Sequence, residues 1–394
     1  MSRLWFSFGL MLLAGCSSMP SWMGGDSEST SSVEEALFVV PDPGRSTGLK
    51  RVWHESVAGT PDDFFNHPGH FVVDGGDVFV ATHEGQVVRL HAKTGGEIWD
   101  VEVGDPIAGG VAVGEGLVYA GTVEGEMIAL AQLNGKEVWR TRVSTAVASA
   151  PTVASGRVVF LTLNNWTYAL SAADGEREWM HQSLPEGLVM RGAARPTVVG
   201  ERVYTGYSSG EVHALSLDKG KPHWSENLTI LGGRVEIDML QDVDAAIVVE
   251  ENASGDDRVF AINHKGKLVA LSGDNGNRLW ERSIKAVRRP LLFSGRLYVT
   301  DMEGGLSAIS AEDGIPLWQT RLSDGMLTAP VYFNDQIFIA DDQERLFSVD
   351  PESGHLMGLD QIGDPVHADP VVVAEGGSKG LYLWTNDGNV MRFQ

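Results

Sequence analysis

The chain has 394 residues, 43% of them hydrophobic, which is enough for a large packed body, and its formal charge is −23. So acidic a surface repels nucleic acid and anionic lipid alike, which excludes nucleic acid as a partner and leaves a dedicated anchor as the route to a membrane. The single cysteine, Cys16, leaves no internal disulfide to form.

The first predicted element is an export signal over residues 1–15. Arg3 supplies a short positive region and Leu4 to Leu13 an apolar stretch. That stretch is too short to span a bilayer, for which about 20 apolar residues are needed. Leu13-Ala14-Gly15-Cys16 resembles a bacterial lipobox. That resemblance implies that Cys16 becomes the first mature residue and carries acyl chains such as palmitate. Ser17, in place of an aspartate, resembles an outer-membrane address. Residues 16–46 are expected to form a lipidated flexible tether, because SSMPSWMGGDSESTSS at 17–32 is rich in Ser and Gly and lacks an apolar period.

From residue 47 the sequence repeats. EGEMIALAQLNGKEVW at 124–139 returns as KGKLVALSGDNGNRLW at 265–280. A glycine followed fourteen residues later by tryptophan marks Gly85/Trp99, Gly125/Trp139, Gly210/Trp224, Gly266/Trp280 and Gly304/Trp318. Asn165/Trp179 keeps the frame with one substitution and Glu344/Gly358 has lost both anchors. A last copy begins at Gly388 and meets the end of the chain, while Trp53 stands near the start with no glycine ahead of it. Apolar and polar residues alternate with period two in GLVYAGTV and GRLYVTDM, which predicts strands, and Asn-Gly or Asp-Gly steps between them predict tight hairpins.

Each unit therefore predicts four strands, lying in the second unit at about 108–113, 116–122, 126–131 and 136–143. One such sheet cannot bury both faces alone, and radial stacking of eight predicts an all-β, eight-bladed β-propeller over 47–394. Trp53, Trp99, Trp139, Trp179, Trp224, Trp280 and Trp318 are the expected wedges between blades. Alternating Ala-Leu pairs such as 129/130 are expected to face opposite neighbours. The N-terminal strand with Trp53 is expected to complete the blade formed by residues from about 369 to 394, closing the ring and removing two free edges.

Several motifs point to chemistry that the repeat explains away. Gly206-Tyr207-Ser208-Ser209-Gly210 spells a hydrolase nucleophile elbow, but that motif needs a strand-to-helix turn and Gly210 is a repeat hairpin glycine. His67 and His70 are too few for a metal site, and no turn has the oxygen spacing of a calcium loop. No catalytic residue, metal or cofactor is expected.

The period breaks twice. The interval from tryptophan position to the next glycine position is 24 or 26 residues in four units, but 31 for 179→210 and 42 for 224→266. The longer segments carry PEGLVMRGAARP at 185–196, with Leu188, Met190 and Arg191, and GGRVEIDMLQDVDA at 232–245, with Asp242 and Asp244. Apolar residues beside an arginine are a typical interface composition.

The glycine and tryptophan spacing resembles the quinoprotein-type propeller repeat of PQQ-dependent dehydrogenases. Those enzymes carry an adjacent Cys-Cys disulfide, which this chain lacks. A lipobox followed by one such propeller is similar to the BamB family of outer-membrane β-barrel assembly lipoproteins. That resemblance implies a non-enzymatic scaffold of the β-barrel assembly (BAM) complex, at the periplasmic face of the outer membrane, aiding insertion of outer-membrane proteins. It further implies that Leu188, Met190, Arg191, Asp242 and Asp244 bind a BamA-like protein, with nascent outer-membrane proteins a second partner. A PQQ-dependent dehydrogenase-like protein and an envelope ligand sensor are the alternatives.

Overall fold

The computed structural model describes residues 40–57, 71–183, 193–228, 243, 245–252, 255, 257–263, 265–286, 288–374 and 376–394. Their strands form eight four-stranded sheets in which neighbours run antiparallel. Blade 2 comprises Ile107–Gly114, Leu117–Thr122, Glu126–Ala131 and Glu137–Arg142, close to the bounds that its period-two pattern predicts. The first strand of each blade touches the first strands of both neighbours, and the series closes between Phe71–Asp74 of blade 1 and Val371–Val373 of blade 8. These first strands therefore surround the axis, and the fourth strands form the outer wall. The architecture is an eight-bladed β-propeller.

The closing blade is shared between the chain ends. Val371–Val373, Gly380–Trp384 and Asn389–Phe393 come from the C-terminus, and Arg51–Ser56 from the N-terminus supplies the outer strand. Trp53 pairs with Arg392 and Ser56 with Asn389. Lys50 and Gln394 exchange backbone hydrogen bonds at 2.9 Å in both directions. Each end thus satisfies the backbone groups the other would leave bare.

The recurring residues act as a wedge and its socket. The Trp139 ring lies over Gly175, in the turn before the fourth strand of the next blade, where a Cβ would fall 2.5 Å from the indole. Gly175 also has φ of 73°, so both space and backbone demand glycine there. Gly95, Gly135, Gly220, Gly276, Gly314 and Gly354 meet Trp53, Trp99, Trp179, Trp224, Trp280 and Trp318 in the same way. All seven indoles donate Nε1–H to a carbonyl of the next blade at 2.8 to 3.2 Å. The Ala-Leu pair divides as expected: Ala129 packs with Tyr119 and Phe160 between blades 2 and 3, while Leu130 packs with Phe79 and Trp99 between blades 1 and 2.

Glu344/Gly358, the copy without anchors, has a physical cause. Blade 8 takes its outer strand from the other end of the chain, so it has no turn joining third and fourth strands to receive a wedge from blade 7. The N-terminal segment crosses there instead. Leu359 N–H donates to Arg45 O at 3.0 Å, Thr47 bonds Asp360, and a Cβ on Gly358 would lie 2.5 Å from Ser46 O. A tryptophan at 358 would collide with the segment that replaces it.

One regular feature has no signature in the repeat's composition. The pairing between third and fourth strands slips by one residue in all eight blades, as between Ala129↔Trp139 and Leu130↔Glu137, leaving Val138 as the extra residue of a bulge. The bulge turns that residue outward. Val138, Leu279 and Leu317 are accordingly exposed although each adjoins a wedge tryptophan.

Candidate docking face

Each fourth strand ends beside the turn that joins the second and third strands of its own blade, and from that face the chain returns to the axis. In blade 2, Val143 N–H donates to Gly125 O at 2.8 Å, and Val147 then bridges to Thr162 of blade 3. The two long intervals are connections of this kind, from blade 3 to blade 4 and from blade 4 to blade 5. Both expected docking segments therefore leave from and return to one face, on consecutive blades.

Their ends are firmly held. Ser183 is buried, donates N–H to Asn165 O at 3.0 Å, and bonds Glu211 through its hydroxyl. The chain returns at Ala193, whose N–H donates to Ala148 O at 3.1 Å, and at buried Ala194. The second segment departs from fully buried Leu228, hydrogen-bonded to Gly210 O at 2.8 Å. It is pinned again at Val243, 1% exposed, whose N–H donates to Tyr207 O at 3.1 Å. Gly206 makes room for this anchor, since a Cβ there would lie 2.3 Å from Val243 Cγ1. Val243 lies between Asp242 and Asp244 in sequence. Leu188, Met190, Arg191, Asp242 and Asp244 themselves lie outside the described residues, as do Cys16, His67 and His70.

Next to the anchored end at Ser183, the interface of blades 3 and 4 holds a polar cluster. His181 Nε2 and His213 Nδ1 are 2.9 Å apart, and His213 Nε2 lies 3.4 Å from Glu211 Oε2. Tyr207 and Thr167 share a 2.6 Å hydroxyl hydrogen bond, and the Tyr207 ring lies 4.8 Å from that of His213. Burial lowers the pKa of His213 to about 4, against the pull of Glu211, and also lowers that of His181. Burial pushes the Tyr207 hydroxyl up to about 12. The two imidazoles are therefore neutral at pH 7. His181 sits at a strand position that other blades fill with Val, Thr, Glu, Arg or Asp, and His213 at one filled with Val, Ile, Tyr, Ser, Phe or Met, so the repeat template conceals the pair.

Ser208 lies in the turn between Arg202–Gly206 and Glu211–Ser216, with its hydroxyl donating to Asn165 Oδ1 at 2.9 Å. A strand follows it, so the elbow geometry that would expose a nucleophile is not built. Among the described residues no group of three or more His, Cys, Asp or Glu could hold a metal ion.

Residues 42–108, 83–294 and 288–390 match the family model described as outer membrane protein assembly factor BamB. The protein of that description from Pseudomonas aeruginosa is 38% identical over 349 residues, covering 88% of this chain and 89% of the relative. The Escherichia coli K12 protein of the same description is 29% identical over 204 residues, 52% of this chain and 50% of the relative. Among solved structures, BamB from Moraxella catarrhalis superposes with a TM-score of 0.77 at 20% identity, covering 88% of this chain and 99% of that one. A quinohemoprotein alcohol dehydrogenase from Comamonas testosteroni reaches 0.69 at 16% identity, over 90% and 78%. At such identities the structural likenesses speak for the fold alone.

Proposed function

The chain belongs to the family of outer membrane protein assembly factor BamB, and from that premise we propose that it is a non-enzymatic scaffold, anchored by lipid on Cys16 to the periplasmic face of the outer membrane and docking on a BamA-like protein. Its role in outer-membrane protein assembly follows from the family. Docking is assigned to Leu188, Met190, Arg191, Asp242 and Asp244. The observation that carries this reading is the anchoring of both long connections on one face. Ser183, Ala194, Leu228 and Val243 are buried and hydrogen-bonded or packed, so the ends of both segments are set by the propeller while the intervening residues are free of any wedge duty. A rigid frame of this kind lowers the ordering cost of binding.

An arginine presents a forked donor to a carboxylate or carbonyl, and the paired aspartates complement a basic patch. Loss of a central interface arginine costs about 2 kcal/mol or more, roughly 30-fold in affinity. The test is capture of the soluble periplasmic fragment of a BamA-like protein by wild type, Arg191→Glu, Asp242→Lys with Asp244→Lys, and Lys93→Glu. Lys93 is an exposed turn residue on the opposite face and serves as control. Both loop variants should lose capture while keeping the wild-type circular dichroism spectrum, and the control should bind normally. Undiminished capture by both folded loop variants overturns the assignment.

A further inference from the structure

The first strand of each blade is entered from the loop-bearing face, and in blades 3 to 8 the residue two positions ahead of it occupies one register, which in blade 2 falls at Gly110 within Ile107–Gly114 and in blade 1 at His70, outside the described residues. In blades 2 to 8 these residues are Gly110, Ala150, Arg195, Ala246, Arg289, Ala329 and Asp369. Four are Gly or Ala and obstruct nothing. Among the described positions, three are charged.

Eight other arginines, Arg89, Arg140, Arg157, Arg202, Arg258, Arg278, Arg296 and Arg345, form ion pairs at 2.5 to 3.2 Å, and Arg282 and Arg392 donate to backbone carbonyls. Arg195 instead donates Nε–H to the Thr152 hydroxyl at 3.1 Å, and that hydroxyl is itself committed to Pro196 O at 2.6 Å. Arg289 has no hydrogen-bond or ion-pair partner among the described residues. It is open to solvent yet surrounded by protein, as expected of a group lining an axial channel. Surrounding protein disfavours the charge on both, and Arg289 adds repulsion to Arg195; Asp369 offsets part of the effect at Arg289. Asp369 is held in place by the Ala329 N–H at 2.9 Å. In a chain with 53 acids and 30 bases, two like charges left together without an ion-paired acid are a standing cost that an incoming anion removes.

We propose that Arg195 and Arg289 form a carboxylate-binding site at the axis of the ring, and that its occupant is the free C-terminal carboxylate of an extended polypeptide. Each guanidinium offers donors in a fork that matches a carboxylate. Among the described positions, Arg195, Arg289 and Asp369 sum to one positive charge, which a monoanionic carboxylate neutralises and a phosphate dianion exceeds. A chain end fits where only Gly and Ala flank the arginines, because its last residues reach the axis without displacing a side chain.

The experiment is fluorescence anisotropy on the full-length lipoprotein in detergent, with a labelled hexapeptide ending in a free carboxylate. Its C-terminal amide is the paired probe, and acetate and inorganic phosphate are competitors. Saturable binding is expected, weakened about tenfold or more by amidation and by either Arg289→Gln or Arg195→Gln. Arg289→Lys should recover part of the loss, since it restores charge without the fork. Arg289 makes no described bond, so its variants keep the fold and the test holds even where Arg195→Gln disturbs Thr152. Equal binding of the acid and the amide, unaltered binding by Arg289→Gln, stronger competition by phosphate than by acetate, or acetate binding with no gain from the attached peptide each overturns the proposal.

Discussion

Replacing wedge tryptophans by phenylalanine separates the packing role of the indole from its hydrogen bond, and two positions give opposite expectations. Trp139 and Trp179 are almost equally buried, at 8% and 7% exposed, and each ring sits on a turn glycine of the next blade. Trp139 Nε1 donates to Ala172 O at 3.0 Å, but the same carbonyl also accepts the Tyr119 hydroxyl at 3.2 Å. Trp179 Nε1 donates at 2.8 Å to Leu217 O, which accepts no other hydrogen bond among the described residues. Both variants lose similar ring volume. Trp139→Phe leaves its acceptor satisfied, whereas Trp179→Phe strands a buried carbonyl, a penalty of about 1 to 3 kcal/mol. Full truncation to alanine costs about 3 to 5 kcal/mol at either site, because there the cavity dominates. Urea unfolding followed by far-ultraviolet circular dichroism measures the difference, with coincident fluorescence transitions confirming that the ring unfolds as one unit. Trp179→Phe should be the weaker protein by at least 1 kcal/mol. Equal stability of the two variants would falsify the claim that the indole N–H matters beyond packing.

Deleting residues 389–394 removes Asn389–Phe393, the strand that pairs with both Gly380–Trp384 and Arg51–Ser56, and with it Val390, Met391 and Phe393 from two cores. The truncated chain should aggregate or lose its cooperative transition, and an unchanged melting temperature contradicts the shared blade. Cys16→Ala should abolish incorporation of labelled palmitate and release the protein from the outer-membrane fraction; persistent labelling contradicts lipidation at Cys16. Folded-state depression of the His213 and His181 pKa values means that the unfolded chain binds more protons below its ordinary histidine pKa. Their contribution to stability is therefore intact above pH 6.5 and declines as pH falls toward about 4. Stability measured across that window should slope less in His181→Gln with His213→Gln, and an equal slope removes these histidines as its source.

The sequence reading worked best where one local rule recurs. A turn that needs positive φ and a socket with no room for Cβ both demand glycine, so Gly125 (φ 82°) and Gly175 (φ 73°) imprint the repeat on the chain. Departures from the template were legible as places but not as causes. Asn165 tolerates the left-handed turn at φ 60°, and Glu344 adopts it at φ 64°. The meaning of Gly358 required knowing that the N-terminal segment crosses blade 7, a contact more than three hundred residues distant in sequence. The same reason hid Arg195 and Arg289. They belong to different repeats, and only ring closure brings blades 4 and 6 to a common axis. The His181–His213 pair was hidden too, because each histidine reads as an ordinary variation within its own strand.

Ring closure also fixes where residues 45–47 and the anchored ends of the two long connections stand relative to each other. Residues 45–47 run against Leu356–Gln361, the outer strand of blade 7, and the chain then enters blade 8 at Arg51. In an eight-membered ring, blade 7 lies opposite blade 3 and blade 8 opposite blade 4. The anchored ends of the two long connections, Ser183 to Ala193 and Leu228 to Val243, belong to blades 3, 4 and 5. The N-terminal segment therefore joins the propeller on its outer wall, on the far side of the axis from the segments assigned to docking. Under the proposed docking, a partner on that face leaves the contacts of residues 45–47 with blade 7 in place. A closed ring, rather than an open stack of the same sheets, thereby sets residues 45–47 and the anchored ends of the two long connections on opposite sides of one axis.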